Sequence, residues 1–235
     1  MTDASPDAIL AVEDLDAQLK RVDPDRWLSS RFIADAQARA DVVALYAYDH
    51  ELARAPKVAS NPLLGEIRLT WWREVLDEVF EARPVRHHPV AQALAEVIRR
   101  HDLPRAPLEA MIDARYRELD AKPMDLAEAL DWARDTGGAT AGLAARILQA
   151  DSDTARAQAG GEAWAIGRLM GTAGLTGAEA DAALRKALAG AKGLSVAAFP
   201  AIAHATLARV RAKGGRPTDL GAQARVLWAV VTGRV

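Results

Sequence analysis

Apolar residues recur along the chain every three or four positions, the period an α-helix imposes on a face that packs against something. In residues 41–57, DVVALYAYDHELARAPK, Val42, Leu45 and Leu52 form one apolar stripe. Tyr46, His50, Ala53 and Lys57 stack along another, at spacings of four, three and four. Residues 63–82 repeat the pattern in two rows, Ile67, Trp71, Val75, Val79 beside Leu64, Arg68, Trp72, Leu76. The same period predicts helices over 7–22, 25–33, 90–101, 107–119, 126–149, 155–170, 177–188, 196–212 and 220–231. In 25–33, Trp27, Leu28 and Phe32 are expected to face inward; in 107–119, Leu108, Met111, Ile112, Arg115 and Leu119 share a side.

The breaks fall where the chain chemistry puts them. Asp23-Pro24, Pro56 with the Ser60–Pro62 turn, and Pro104 end or begin helices. Thr176 with Glu179 reads as an N-terminal capping box, and Pro200 sits in a first turn, where proline is tolerated. Gly137, Gly138 and Gly142 interrupt 126–149. Each costs roughly 1 kcal/mol against alanine in a helix interior, so they predict a kink or the close approach of another backbone. No stretch alternates with a period of two, and no repeat of fixed length is present. The expected fold is all-α, a single domain over 1–235 with residues 1–6 frayed.

Composition narrows the function classes. Half of the 235 residues are hydrophobic and alanine is abundant, which suits closely packed helices. The net charge of −2, with Lys and Arg spread along the chain, gives no pointer to nucleic acid. Without cysteine there is no disulfide and no thiolate metal site. The N-terminal residues lack a basic region followed by an apolar run, and no segment reaches membrane-spanning length. The expected location is the cytoplasm, with room for peripheral contact with the inner membrane.

Short motifs carry little. His87-His88 could hold a metal or anion, but adjacent histidines on a turn point apart and a structural role is the simpler reading. Trp71-Trp72 could form a platform, but paired tryptophans on an amphipathic helix are more often core plus cover. Ser29-Ser30 lack a hydrolase context, and no HExxH, P-loop or GxGxxG pattern is present. His101 and His204 read as packing or capping residues.

A longer succession is more specific. LSSRFI, RADVVALYAYDHEL, LLGEIRLTWWREVLDEVF, HPVAQALAEVIRRHDLP, LEAMIDARYRELD and LDWARDTGGATAGLAARIL, in that order over Trp27 to Leu148, resemble the squalene/phytoene synthase family. The resemblance implies an isoprenoid synthase bundle with a central cavity. In the family, two aspartate-rich motifs on facing helices hold Mg²⁺, which clamps the diphosphates of two isoprenoid substrates during head-to-head prenyl transfer. Aligned through ALYAY, the family's tyrosine is matched by Tyr46 and its arginine position holds His50. The aspartate positions hold Ala53 and Lys57, with Arg54 beside the first. The second motif aligns with GGEAWAIGRLMGTAGLT, placing Ala165, Arg168, Gly171, Thr172 and Thr176 where Gln, Asn, Arg and two aspartates are usual. Neither Asp49 nor Glu51 lies on the Tyr46 face.

This departure resembles the family's non-catalytic branch, whose mitochondrial members act as assembly factors for respiratory complex I. The resemblance therefore implies a catalytically inactive assembly, scaffold or lipid-binding protein. Its partner would be a protein of respiratory-complex assembly, or a prenyl or other lipid in a remnant cavity lined by Tyr46, His50, Ala53, Arg54, Lys57, Arg168 and Thr172. No cofactor and no catalytic residue are expected. The alternative is an isoprenoid-diphosphate transferase with an altered, metal-poor site. There Arg54, Lys57, Arg168 and His50 would neutralise the diphosphate, and Mg²⁺ would enter only on this reading. A helical domain with no small-molecule ligand is the third reading.

Overall fold

The computed structural model describes residues 15–57, 61–215 and 218–235. The start of the first expected helix and the frayed residues 1–6 lie outside them. The regular elements of the described residues are all helical, with no strand. In chain order the helices are α1 (residues 15–22), α2 (Pro24–Ser30), α3 (Ala36–Lys57), α4 (Pro62–Phe80), α5 (Pro89–His101) and α6 (Arg105–Tyr116). They continue with α7 (Leu126–Ala133), α8 (Ala139–Leu148), α9 (Thr154–Thr172), α10 (Ala178–Gly190), α11 (Ala208–Ala212) and α12 (Asp219–Thr232).

The starts follow from side chains that satisfy the free N–H groups of a first turn. Asp23 accepts from the Arg26 N–H, Asn61 from Leu64, Asp153 from Arg156 and Thr218 from Gly221. Asp125 and Glu128 form a reciprocal capping box on α7. The box expected at Thr176 does not form: the N-cap of α10 is Gly177, with φ of 109° and no side-chain cap.

Helix α3 is the axis of the molecule, with α4, α5, α6 and α8 packed around it. Both of its expected stripes are covered in the middle, since every residue from Asp41 to Asp49 is buried. At its start Asp41 accepts from Arg100 at 2.5 Å and pairs with His101 Nε2 at 2.7 Å, tying α3 to the end of α5.

Helix α9 crosses α8 where the glycines of both meet. A five-residue π-turn, Arg134–Gly138, joins α7 to α8. A Cβ on Gly161 would stand 2.0 Å from the Gly137 carbonyl oxygen, and one on Gly137 would stand 2.6 Å from that of Gly161. Both outcomes expected of the glycines therefore occur: an irregular turn and a backbone-to-backbone approach.

Two further expectations fail. Residues 196–212 are not one helix but two 3-10 turns, Phe199–Ala201 and Ala203–Leu207, followed by the short α11. The cause is Ser29. Its hydroxyl donates to the Pro200 carbonyl at 2.8 Å and accepts from the His204 N–H at 3.1 Å, so those backbone groups bond across to α2 rather than along a helix. In α2 itself the buried residues are Asp25, Arg26, Ser29 and Ser30, while Trp27, Leu28 and Phe32 are only partly covered. The polar face goes inward.

Candidate functional site

That inversion of α2 builds the interior. Arg26, 2% exposed, reaches Asp49 of α3 at 2.5 Å; Asp49 takes Arg115 of α6 at 2.7 Å on its other oxygen, and Arg115 continues to Glu118 at 2.7 Å. On the other side Asp23 lies 3.8 Å from both Arg26 and Arg168. The charges thus alternate in sign, from Arg168 on α9 through Asp23, Arg26, Asp49 and Arg115 to Glu118. Burial works to raise the Asp49 carboxyl, but Arg26 and Arg115 outweigh it and hold it well below the usual carboxylate range. Asp23 goes the other way: burial pushes it up against the pull of Arg26 and Arg168.

Above this chain, four side chains close a ring in the space between α3 and α9. Tyr46 meets His204 edge to face at 6.4 Å, and His204 meets Trp164 at 5.3 Å. The Arg26 guanidinium stands 4.1 Å from the Trp164 ring centre and 5.2 Å from that of Tyr46. Tyr46, Arg26, Trp164 and His204 are all buried. Burial first, then Arg26 and Arg168, holds His204 neutral, well below the ordinary imidazole value.

The expected site residues fall around and away from this ring. Tyr46 is part of it, and Arg168 adjoins it, 4.6 Å from the Trp164 ring centre. His50 is half-buried, and burial lowers its pKa. Ala53 is partly covered, Lys57 is exposed at the end of α3, and Thr172 is exposed, its hydroxyl donating to the Arg168 carbonyl. Arg54 turns elsewhere: it pairs with Glu51 at 2.8 Å and lines a cleft of about 290 Å³ with Ala55, Arg68, Trp71, Trp72 and His88. Asp49 and Arg115 were not among the expected residues. The signal for Arg115 was its place on the apolar side of α6, because a charge on a buried face requires a partner.

The outer face of α4 is a separate feature. Trp72 is core; Trp71 is its half-exposed cover, meeting it edge to face at 4.9 Å. Leu63, Leu64 and Ile67 stand in solvent. Leu63, Glu66, Ile67, Thr70, Trp71 and Glu74 surround a hollow of about 380 Å³.

These features can be set beside known proteins. The family description "Squalene/phytoene synthase" matches residues 19–176, and the chain belongs to that family. The protein named NADH dehydrogenase (ubiquinone) complex I, assembly factor 6 of Bos taurus is 30% identical over 131 residues, 55% of this chain and 39% of that protein. The Homo sapiens protein of the same name is 29% identical over the same shares. The match thus spans well under half the length of these curated relatives. Among solved structures, a dehydrosqualene synthase in complex with ligand superposes with a TM-score of 0.74 at 13% identity, covering 97% of each chain. Squalene synthase HpnC from Alicyclobacillus acidocaldarius gives 0.60 at 16% identity, covering 98% of this chain and 97% of that one. The fold is that of the isoprenoid synthases.

The Mg²⁺ of the family does not fit the residues present. The aligned positions on α3 hold Ala53, Arg54 and Lys57, and those on α9 hold Ala165, Arg168 and Thr172, with no carboxylate among them. Two acids beside them are committed to cations, Glu51 to Arg54 and Asp23 to Arg26 and Arg168. Among the described residues no group of three His, Asp or Glu side chains could hold a metal ion.

Proposed function

We propose that this family member does not transfer prenyl groups and works instead as an assembly or scaffold protein that binds a protein partner. The observation that carries this reading is the ring of Arg26, Tyr46, Trp164 and His204. It occupies the space between α3 and α9, flanked by positions with no metal-binding carboxylate. A cation such as Lys57 near the expected metal would oppose it: like unit charges about 4 Å apart cost roughly 4 kcal/mol at an effective dielectric near 20, and a divalent ion about doubles that. Diphosphate ionisation then has no source of charge neutralisation of the family's kind.

The names of the relatives, assembly factors of complex I, support a protein as the partner. The hollow on α4 supports a helix as its docking element. Leu63, Glu66, Ile67 and Thr70 stand at i, i+3, i+4 and i+7, and Ile67, Thr70, Trp71 and Glu74 repeat that spacing. Four residues so spaced form the hole that receives one side chain of a facing helix.

The test is affinity capture of the tagged chain from its own organism, with Ile67→Asp beside it. Recovery of respiratory-complex subunits by the wild type and their loss in the variant supports the reading. Equal recovery by both moves the docking site off α4, and no reproducible partner overturns the scaffold. A thermal shift with farnesyl diphosphate, with and without Mg²⁺, tests the enzymatic alternative. A ligand at 100 times its Kd adds roughly 2.7 kcal/mol, and no shift is expected.

A further inference from the structure

Helix α12 is turned inside out relative to the rest of the bundle. It buries Val226 and Ala229, while Leu220, Leu227, Trp228 and Val231 stand 77, 51, 70 and 72% exposed. With Ala224 between them, their spacing puts all four on one stripe. The C-terminal stretch that carries it is mostly cationic. Residues 204–235 hold Arg209, Arg211, Lys213, Arg216, Arg225 and Arg234 against the single acid Asp219, in a chain whose net charge is −2. Arg211 is committed to Asp25. Arg209, Lys213, Arg225 and Arg234 are exposed, with no ion-pair partner among the described residues.

We propose that α12 is a membrane-surface helix, its Leu220, Leu227, Trp228 and Val231 stripe set into the headgroup–acyl boundary of an anionic bilayer and its neighbouring cations against lipid phosphates. The stripe supplies apolar area and an indole suited to the interface, and the cations supply attraction to negative lipid. At 14 residues the helix lies on the bilayer, and no described helix is long and apolar enough to cross one. Charge also separates this face from the other exposed apolar face. The α4 hollow is rimmed by Glu66 and the Arg86-paired Glu74, and among the described residues no cation lines it to attract an anionic surface. The inference is independent of which protein the chain assists.

The test is co-sedimentation of the full chain with vesicles of phosphatidylcholine and phosphatidylglycerol, and with phosphatidylcholine alone. Binding is expected to the anionic vesicles, weakening as salt rises. Leu227→Asp should bind roughly tenfold more weakly while keeping the wild-type Tm, and Ile67→Asp should bind as wild type. Because the chain has no cysteine, Leu227→Cys takes a single environment-sensitive fluorophore, whose emission should shift to the blue on anionic vesicles. Absence of binding, or equal binding by Leu227→Asp, overturns the proposal. So does failure of maleimide to reach the thiol of the Leu227→Cys variant without vesicles, which would mean that protein already covers the stripe, whether residues 1–14 or a second copy.

Discussion

The space beneath α3 and the outer face of α4 invert each other. Inside, α2 sends Arg26 and Ser29 into the core, and Arg26, Asp49 and Arg115 are buried as an ion-paired chain. Outside, α4 holds Leu63, Leu64 and Ile67 in water. A chain selected for stability alone has little reason for either arrangement, since buried ion pairs at best break even with apolar packing and exposed apolar stripes invite association. The difference lies in what each region requires. The charges of the interior are paired from within the chain: every carboxylate in it faces a guanidinium. The α4 face leaves a hollow among exposed apolar side chains, which on the proposed function another molecule fills.

The sharpest way to break the comparison is to remove the central carboxylate. Asp49→Ala leaves Arg26 and Arg115 buried with half their partners gone, and should cost about 3–5 kcal/mol in urea unfolding. A loss under about 1 kcal/mol would mean that the interior is wet enough to screen the charges, and the contrast with α4 would collapse. Gly161→Ala comes next. Its Cβ would meet the Gly137 carbonyl at 2.0 Å, a backbone atom that cannot swing away, so about 3 kcal/mol is expected from the same measurement.

The pH dependence is smaller and its sign is fixed. His204 is buried neutral against Arg26 and Arg168, so its folded pKa lies below the ordinary 6.5. Its contribution is fully present above that value and is lost as pH falls below it, because the unfolded chain then takes up a proton the folded one refuses. Between about pH 7.5 and about pH 5 stability should fall by roughly 1–2 kcal/mol, and His204→Gln should flatten that slope. Asp49, held below its ordinary 3.8, acts in the same direction but only in more acid solution, where its contribution falls away.

These residues also show what the chain disclosed in advance. The long helices α3, α4, α5 and α9 were legible because each carries a 3.6-residue stripe and a proline, asparagine or aspartate at its start or end. The family was legible from the order of six segments. Helix α2 was misread because periodicity assumes that apolar side chains go inward, whereas Arg26 and Ser29 have partners inside that lie 23 and 171 residues away in sequence. The break at 199–207 was hidden for the same reason: a local helical pattern yields when Ser29 takes its backbone groups. Arg54 lines a separate cleft because it is one residue past Ala53 on the Tyr46 face, and one residue along a helix rotates the side chain by about 100°.

The smallest expected effect on stability is the one that most sharpens the comparison. Ile67 is 55% exposed on a helix whose inner side carries the core contacts, so Ile67→Asp should change unfolding free energy by less than about 0.5 kcal/mol. The same carboxylate would sit in the hollow between Leu63 and Trp71, beside Glu66 and the Arg86-paired Glu74, and place an added negative charge against any helix seated there. Unchanged stability with lost partner recovery would assign the α4 stripe to association. Destabilisation by about 2 kcal/mol or more, the cost of damaging a core site, would instead make Ile67 part of this chain's own packing. The inversion would then be confined to the interior.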